Sequence, residues 1–350
     1  MTSREPAAAR DSDERSARFG QDGGRFPAGA FLQEGERLQF GCFQFPGYFG
    51  GGSLDWTLAR LTQYTRWRGR EVYRAVRRRL SLDYARLAYW LPTRSPDFLG
   101  IGAPRSATTW LYQWLSLHPE ICLSKRKEVH FLNIPEGKGT YVYGPDFGHF
   151  IQRPYDLNDP HHWRWYRSLF GKCGSKVSGE ITPVYSVLDA DRIAVVKEHL
   201  PDLKLIYIMR NPIARAWSGV RKELWWRFHM HPHEVSSPDA LMRMAMRPFV
   251  LSCGNYADAI TRWETHYPDR ILYLFYDDIM VDAQDVLRGV CDFLHVDRGP
   301  LETAGGHSER VNDVPTDDIP PAVRSALAAY YAPQLPFLEQ KFGRSFAHWI

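Results

Sequence analysis

The chain has 350 residues and a formal net charge of +4. That length accommodates one large α/β domain with appendages, and that charge is too small to argue a nucleic-acid partner. No apolar run is long enough to span a bilayer and the N-terminus lacks an apolar leader region, so the expectation is a cytoplasmic protein with no transmembrane segment. The five cysteines (Cys42, Cys122, Cys173, Cys253 and Cys291) are scattered and form no CxxC pair. They predict neither a disulfide framework nor a zinc site, and fit a reducing compartment.

Residues 1–30 are rich in Ala, Arg, Asp, Ser and Gly, and predict a disordered tail. Residues 31–96 form an N-terminal irregular and helical extension. Its first part, Phe31 to Gly52, mixes Gly with aromatics and reads as irregular. From 54 to 91, Leu54, Trp56, Leu58, Leu61, Tyr64, Val72, Tyr73, Val76 and Leu80 suggest amphipathic helices. The 60–80 region also carries Arg66, Arg68, Arg70, Arg74, Arg77, Arg78 and Arg79. The plain reading is a solvated helix face. The functional reading is a patch for an anionic glycan, an acidic partner or peripheral membrane contact.

The main domain is expected over 97–350. Phe98, Leu99 and Ile101 read as a buried strand, broken by Gly100, Gly102 and Pro104. Arg105-Ser106-Ala107-Thr108-Thr109 follows, then a helix pattern through Leu111, Trp114, Leu115 and Leu117, stopped at His118-Pro119. A strand, a tight loop and a helix start form a phosphate-holding arrangement, because the first amides of a helix have no intrahelical partner and the helix dipole favours an anion. The spacing departs from a Walker A loop. Counting from Gly102, Ala107 stands at the second glycine and Thr108 at the lysine, and the cation has moved to Arg105.

The order Pro104-Arg105-Ser106-Ala107-Thr108-Thr109-Trp110 resembles instead the P-[KR]-S-[GA]-T-T-W motif of sulfotransferases that use 3′-phosphoadenosine 5′-phosphosulfate (PAPS). Most of that family has Lys at Arg105, and it usually has Gly at Ala107. The resemblance implies a three-layer α/β, P-loop-like fold with a central parallel sheet flanked by helices. It also implies that Arg105, Ser106, Ala107, Thr108, Thr109 and Trp110 line the cofactor site, with Trp110 either on adenine or in the core.

Further along, Ile121 to Ser124 reads as a second strand running into Lys125-Arg126-Lys127-Glu128-Val129-His130-Phe131. This is similar to the K-E-x-H-F-F segment of the glycosaminoglycan branch, where the glutamate is the proposed base. Carried over, the base is Glu128, with His130 as its rival because the small-molecule branch uses histidine. Between 134 and 172, Tyr141, Tyr143, Trp163, Trp165 and Tyr166 suit either an acceptor cleft or peripheral packing. The run from Lys176 to Pro183 reads as a strand. The family shows G-E-K-T-P-x-Y here; this chain keeps Glu180, Thr182, Pro183 and Tyr185 but has Ile181 at the lysine.

A helix is expected from Asp191 to Leu200, and Leu203 to Met209 is a buried strand ending at Arg210. Asn211 is a good N-cap and Pro212 a good first helical residue. Arg210 to Ser218 matches R-[ND]-P-x-x-R-[AV]-x-S, whose first Arg and Ser hold the cofactor's 3′-phosphate in the family. A kinase needs a strand ending in Asp to hold Mg²⁺, whereas this strand ends in Arg. The HMHPH run at 229–233 lacks Cys or carboxylate partners, so no metal is expected there, and an acceptor-side lid is the preferred reading. Asn255 to Tyr267 and Ala283 to Leu294 read as helices and Ile271 to Tyr276 as a strand. In the loop Gly305 to Val314, Arg310 and then Asn312 are candidates to fold over the cofactor. The ending Gly343-Arg344-Ser345-Phe346-Ala347-His348-Trp349 is similar to the G-R-x-F-x-W terminus of the glycosaminoglycan branch.

The implied activity is transfer of a sulfuryl group from PAPS, without metal, to a hydroxyl or amine of a carbohydrate, lipid or other small-molecule acceptor, releasing adenosine 3′,5′-bisphosphate. A P-loop kinase of a small molecule and a catalytically silent glycan-binding module of the same fold are the alternatives.

Overall fold

The structure is a computed structural model that describes residues 91–125, 127–133, 156–302 and 318–350, together with the backbone of two short strands near the N-terminus. The expectations placed on 1–30, on the Arg-rich 60–80 region, on Tyr141 and Tyr143 and on Arg310 and Asn312 lie outside the described residues. Two compact units divide the chain at Tyr48 and Phe49. In the first unit, strand β1 (Leu38–Phe40) pairs antiparallel with β2 (Phe43–Phe45), Leu38 opposite Phe45. The sequence reading was of irregular chain, but each strand alternates apolar, Gln, apolar, which is the two-residue period of a pleated strand.

In the second unit, five parallel strands form one sheet in the order β4-β5-β3-β6-β7. They are β3 (Phe98–Gly102), β4 (Ile121–Leu123), β5 (Val177–Ile181), β6 (Lys204–Met209) and β7 (Ile271–Phe275). The central strand, β3, pairs with β5 through Phe98–Gly179 to Gly100–Ile181 and with β6 from Phe98–Lys204 onward. Glycine at 100 has a steric reason: a Cβ there would lie 2.8 Å from the Ile181 side chain.

Strands buried on both faces read as continuous apolar runs, and β6 shows why. Leu205, Tyr207 and Met209 enter one apolar layer, whereas Ile206 and Ile208 enter the other. The first layer is closed by α2 (Pro160–Ser168), α3 (Ala190–His199) and α5 (Tyr256–His266), with Trp163, Tyr166, Ile193, Val196, Ile260 and Trp263 inward. The second is closed by α1 (Thr108–Leu117) and α6 (Ala283–Leu294), with Leu111, Leu115, Leu287, Val290 and Leu294 inward. The result is a helix–sheet–helix sandwich of three layers, as the sequence predicted. Helix α4 (Pro212–Phe228) leaves the carboxyl end of β6, capped by Asn211, whose Oδ1 accepts from the amides of Ile213 and Ala214 at 3.0 Å. No described helix is long and apolar enough to cross a membrane.

One expectation is corrected, and one open alternative is decided for two residues. Cys122 and Cys173 form a disulfide, against the expectation of unpaired cysteines. Cys122 lies on β4 and Cys173 just before β5, so the parallel pairing of those strands brings together residues 51 apart in sequence. No local spacing motif encodes such a pair. The aromatic stretch before β5 contains α2, and Trp163 and Tyr166 are core residues, 1% and 0% exposed. For these two rings, packing is the reading that holds.

Candidate active site

The loop after β3 is shaped for an anion by its backbone. Arg105 and Ala107 both have left-handed φ, 69° and 58°. Ala107 is the N-cap of α1, which has no side-chain cap hydrogen bond and no acidic residue in its first turn. Its leading amides, at Thr108 and Thr109, therefore keep their donor capacity. Ser106 is fully buried, and its Oγ makes no hydrogen bond among the described residues. A buried hydroxyl without a partner costs about 1–3 kcal/mol, which an anionic ligand in the loop would offset. Trp110 is 5% exposed and belongs to the apolar layer with Leu111 and Trp114.

The second motif closes on the first. Arg105 Nε donates to Ser218 Oγ at 3.0 Å, and Arg210 Nη1 donates to the Arg105 carbonyl at 3.0 Å. Residues more than a hundred positions apart thus meet at the carboxyl end of the sheet, where open α/β sheets bind ligands. Arg210 is held from two further sides. The Tyr256 hydroxyl accepts from its amide at 3.3 Å and donates to its carbonyl at 2.6 Å. Its guanidinium also lies 4.3 Å from the ring centroid of Tyr276. Burial and the charges of Arg210, Arg221 and Arg215 pull Arg105 down to about 10, with Glu128 opposing. Burial likewise lowers Arg210. The charges of three further guanidiniums are felt at Arg105, and the positive potential they add is one that a phosphate or sulfate would neutralise.

The segment that carries the candidate bases Glu128 and His130 is built differently. Glu128 and His130 both have left-handed φ, 61° and 59°, a conformation that non-glycine residues hold only under external constraint. The constraint comes from β5 and the turn after it. The Glu128 amide donates to the Ile181 carbonyl at 3.1 Å, and the Val129 amide to Glu180 Oε2 at 3.2 Å. The His130 amide points at Thr182 Oγ1 at 3.5 Å, and the amides of Phe131 and Leu132 donate to the Tyr185 hydroxyl at 3.0 and 3.4 Å. Glu180 sits beneath, fully buried. It accepts from Tyr166 Oη and Tyr185 Oη at 2.9 Å each and from Thr182 Oγ1 at 2.7 Å. Burial raises its carboxyl, while these donors oppose the rise.

Glu128 retains 32% side-chain exposure, whereas His130 has 2%. Lys127 Nζ lies 2.9 Å from Glu128 Oε1, and His130 Nε2 lies 3.4 Å from Oε2. His130 Nδ1 faces Asn133 Oδ1 at 3.1 Å. Burial pushes the Glu128 carboxyl up, but the His130 contact and the charges of Lys127, His130 and Lys222 together hold it below the usual carboxylate range.

Sequence reasoning recognised Glu180, Thr182 and Tyr185 as matching a motif but assigned them no task; in the structure they receive the backbone amides of residues 129–132. Tyr256 and Tyr276 carried no sequence signal, since each meets Arg210 only through the fold. Beyond α4, His231 lies 5.4 Å from Trp225 and 5.1 Å from His233, ring to ring. The HMHPH run is thus an aromatic stack at the end of α4, and among the described residues no group of three or more His, Cys, Asp or Glu could hold a metal. The C-terminal segment docks beside the Arg210 region. Arg344 Nη1 meets Asp278 Oδ2 at 2.8 Å, and Trp349 Nε1 donates to Asp277 Oδ2 at 2.8 Å.

Residues 96–300 match the model of the sulfotransferase family. The chain belongs to that family of group-transferring enzymes. It is 27% identical over 209 residues to the human bifunctional heparan sulfate N-deacetylase/N-sulfotransferase 2, covering 55% of this chain and 20% of that protein. It is 26% identical over 214 residues to human heparan sulfate glucosamine 3-O-sulfotransferase 6, covering 59% of this chain and 54% of that one. The chain thus spans only part of either relative's length. A sulfotransferase structure from Alicyclobacillus acidocaldarius superposes with a TM-score of 0.55 and 22% identity, covering 73% of this chain and 99% of that one. It shares the three-layer fold.

Proposed function

We propose that the chain transfers the sulfuryl group of PAPS to a hydroxyl or amine of a glycan, lipid or natural-product acceptor. The observation that carries this reading is the closure of the two motifs on each other, Arg105 on Ser218 and Arg210 on the Arg105 carbonyl, around a helix N-terminus without a cap. The amides of Thr108 and Thr109 and the buried Ser106 hydroxyl suit the 5′-phosphosulfate. Arg210 and Ser218 suit the 3′-phosphate. Arg105, between them, would stabilise the negative charge that grows on the bridging oxygen as the bond to sulfur breaks.

Glu128 takes the acceptor's proton in this reading. It is the more exposed of the two candidates and is held ionised by its cationic neighbours. His130, behind it, orients the carboxylate. The heparan sulfate relatives include both an N- and an O-sulfotransferase, which supports a glycan amine or hydroxyl as the acceptor and leaves both chemistries in play.

The deciding experiment has two arms. Adenosine 3′,5′-bisphosphate should raise the melting temperature of the full chain while ATP with Mg²⁺ does not. Labelled PAPS should then pass sulfate to at least one member of an acceptor panel of glycans, phenols and lipid alcohols. Stabilisation by ATP–Mg²⁺ alone would point to a kinase. Bisphosphate binding without transfer to any acceptor would point to a silent module.

A further inference from the structure

Between the donor loop and Glu128 the structure places a lysine that the motifs leave out. Helix α4 carries Ser218, Lys222 and Trp226 at intervals of four, so the three share one face. Ser218 fixes the inner end of that face, because its Oγ accepts from Arg105 Nε at 3.0 Å. Trp226 fixes the outer end, half exposed, with Lys222 Nζ 5.3 Å from its ring centroid. Lys222 therefore follows Ser218 by one helical turn on the face of α4 that meets the donor loop.

Its electrostatic neighbours come from both halves of the site: Arg105 from the donor loop, Glu128 and Lys127 from the base segment. Burial and the charge of Arg105 pull it down to about 8, while Glu128 opposes. Two other cations of the site are committed. Lys127 meets Glu128 at 2.9 Å, and Arg210 Nη1 donates to the Arg105 carbonyl. Strand β5 supplies no cation at the same place, since Ile181 is fully buried in the apolar layer with Phe98 and Ile206.

We propose that Lys222 is a further catalytic residue, whose ammonium hydrogen-bonds the non-bridging oxygens of the sulfuryl group as it passes from PAPS to the acceptor. The inference rests on the proposed PAPS reaction. In that step the acceptor oxygen or nitrogen forms a bond to sulfur, and the sulfur–oxygen bond to the 5′-phosphate breaks. The bond's electron pair leaves on the bisphosphate, and the acceptor's proton goes to Glu128. Lys222 donates hydrogen bonds throughout and gives up no proton. Its electrostatic coupling to both Arg105 and Glu128 suits a group that must follow sulfur from one to the other.

The test needs no identified acceptor. PAPS and adenosine 3′,5′-bisphosphate are titrated calorimetrically into wild type, Lys222→Met and Lys222→Arg, and breakdown of bound PAPS by water is timed. Loss of a charge-assisted contact to the sulfuryl oxygens should weaken PAPS on the order of tenfold in Lys222→Met while bisphosphate affinity stays within about twofold. PAPS breakdown should slow in the same variant, and Lys222→Arg should recover much of both. In wild type, raising the pH from 7 to 9 should weaken PAPS relative to bisphosphate by roughly fivefold, because most of the ammonium is lost in that interval; Lys222→Arg should remove this dependence. Equal weakening of both ligands by Lys222→Met, or no change in PAPS affinity and breakdown, overturns the role of Lys222 and leaves the PAPS reading intact. Wild-type protein that binds neither ligand overturns the PAPS reading itself.

Discussion

The donor loop and the segment carrying the proposed base lie at the same, carboxyl end of one sheet, yet they are held by different means. The donor loop is local: a strand, five residues and a helix start, with the anion-binding donors supplied by backbone amides. The base segment is long-range. Five successive amides, from 128 to 132, are directed at β5 and the turn after it, about fifty residues further along the chain. The lesson is that a helix start offers anion-binding donors locally, with Arg210 and Ser218 then closing on it, whereas a carboxylate proposed as a base needs a rigid backbone beneath it. Here the rigid part is a buried carboxylate, Glu180, with three hydroxyl donors.

Substitutions at five positions break or sharpen that contrast. The largest effect is expected at the proposed base. Glu128→Gln should lower turnover by about 10²–10⁴-fold and leave bisphosphate affinity near wild type, since Gln keeps the size but cannot accept the proton. The pH profile separates the two candidates. A base must be unprotonated, and Glu128 is held below the usual carboxylate range, so its acid limb should fall below about pH 4. A histidine base would place the limb near about 6.5. If His130→Ala abolishes turnover while Glu128→Gln is mild, the two residues exchange roles.

On the donor side, Arg105→Ala should lower turnover by about 10²–10³-fold, and Arg105→Lys should retain a good part of it. The positive charge is the requirement in that case. Should Lys prove as inactive as Ala, the hydrogen bond to Ser218 and the planar fork matter more than the charge.

Glu180→Gln tests the support rather than the chemistry. Its carboxamide cannot accept on both sides, so an NH₂ must face a hydroxyl or amide donor that now points at Glu180. Global stability should fall by about 1–3 kcal/mol in denaturant titrations. Turnover should fall with it while bisphosphate affinity is unchanged, because the donor loop does not lean on Glu180. Equal losses in binding and turnover would show that the two regions are coupled after all.

The smallest effect is in the loop backbone. Ala107 adopts left-handed φ as the N-cap of α1, a conformation that costs a non-glycine residue about 1–2 kcal/mol. Ala107→Gly relieves that cost but adds freedom to the unfolded chain, so a net gain of about 0.5–1 kcal/mol is expected. Its measure is the midpoint of chemical unfolding.

What the sequence determined by itself was the part of this protein encoded in short spacings. The apolar runs at 98–101 and 204–209 announced strands buried on both faces. Gly, Pro and Asn placed the helix starts after β3 and β6, where phosphate-binding geometry follows from the local backbone. Glu128 and His130 were visible as a pair, but not which of them faces outward. The tertiary structure decided that, by leaving Glu128 a third exposed and His130 covered. It also decided that Trp163 and Tyr166 pack inward, that Cys122 meets Cys173, and that Tyr256 and Tyr276 clamp Arg210. Each of these joins residues from separate elements, and no periodicity along a chain records which elements will lie side by side. The strand order β4-β5-β3-β6-β7 supplies that information, because it puts β5 under the base segment and β6 beside the donor loop.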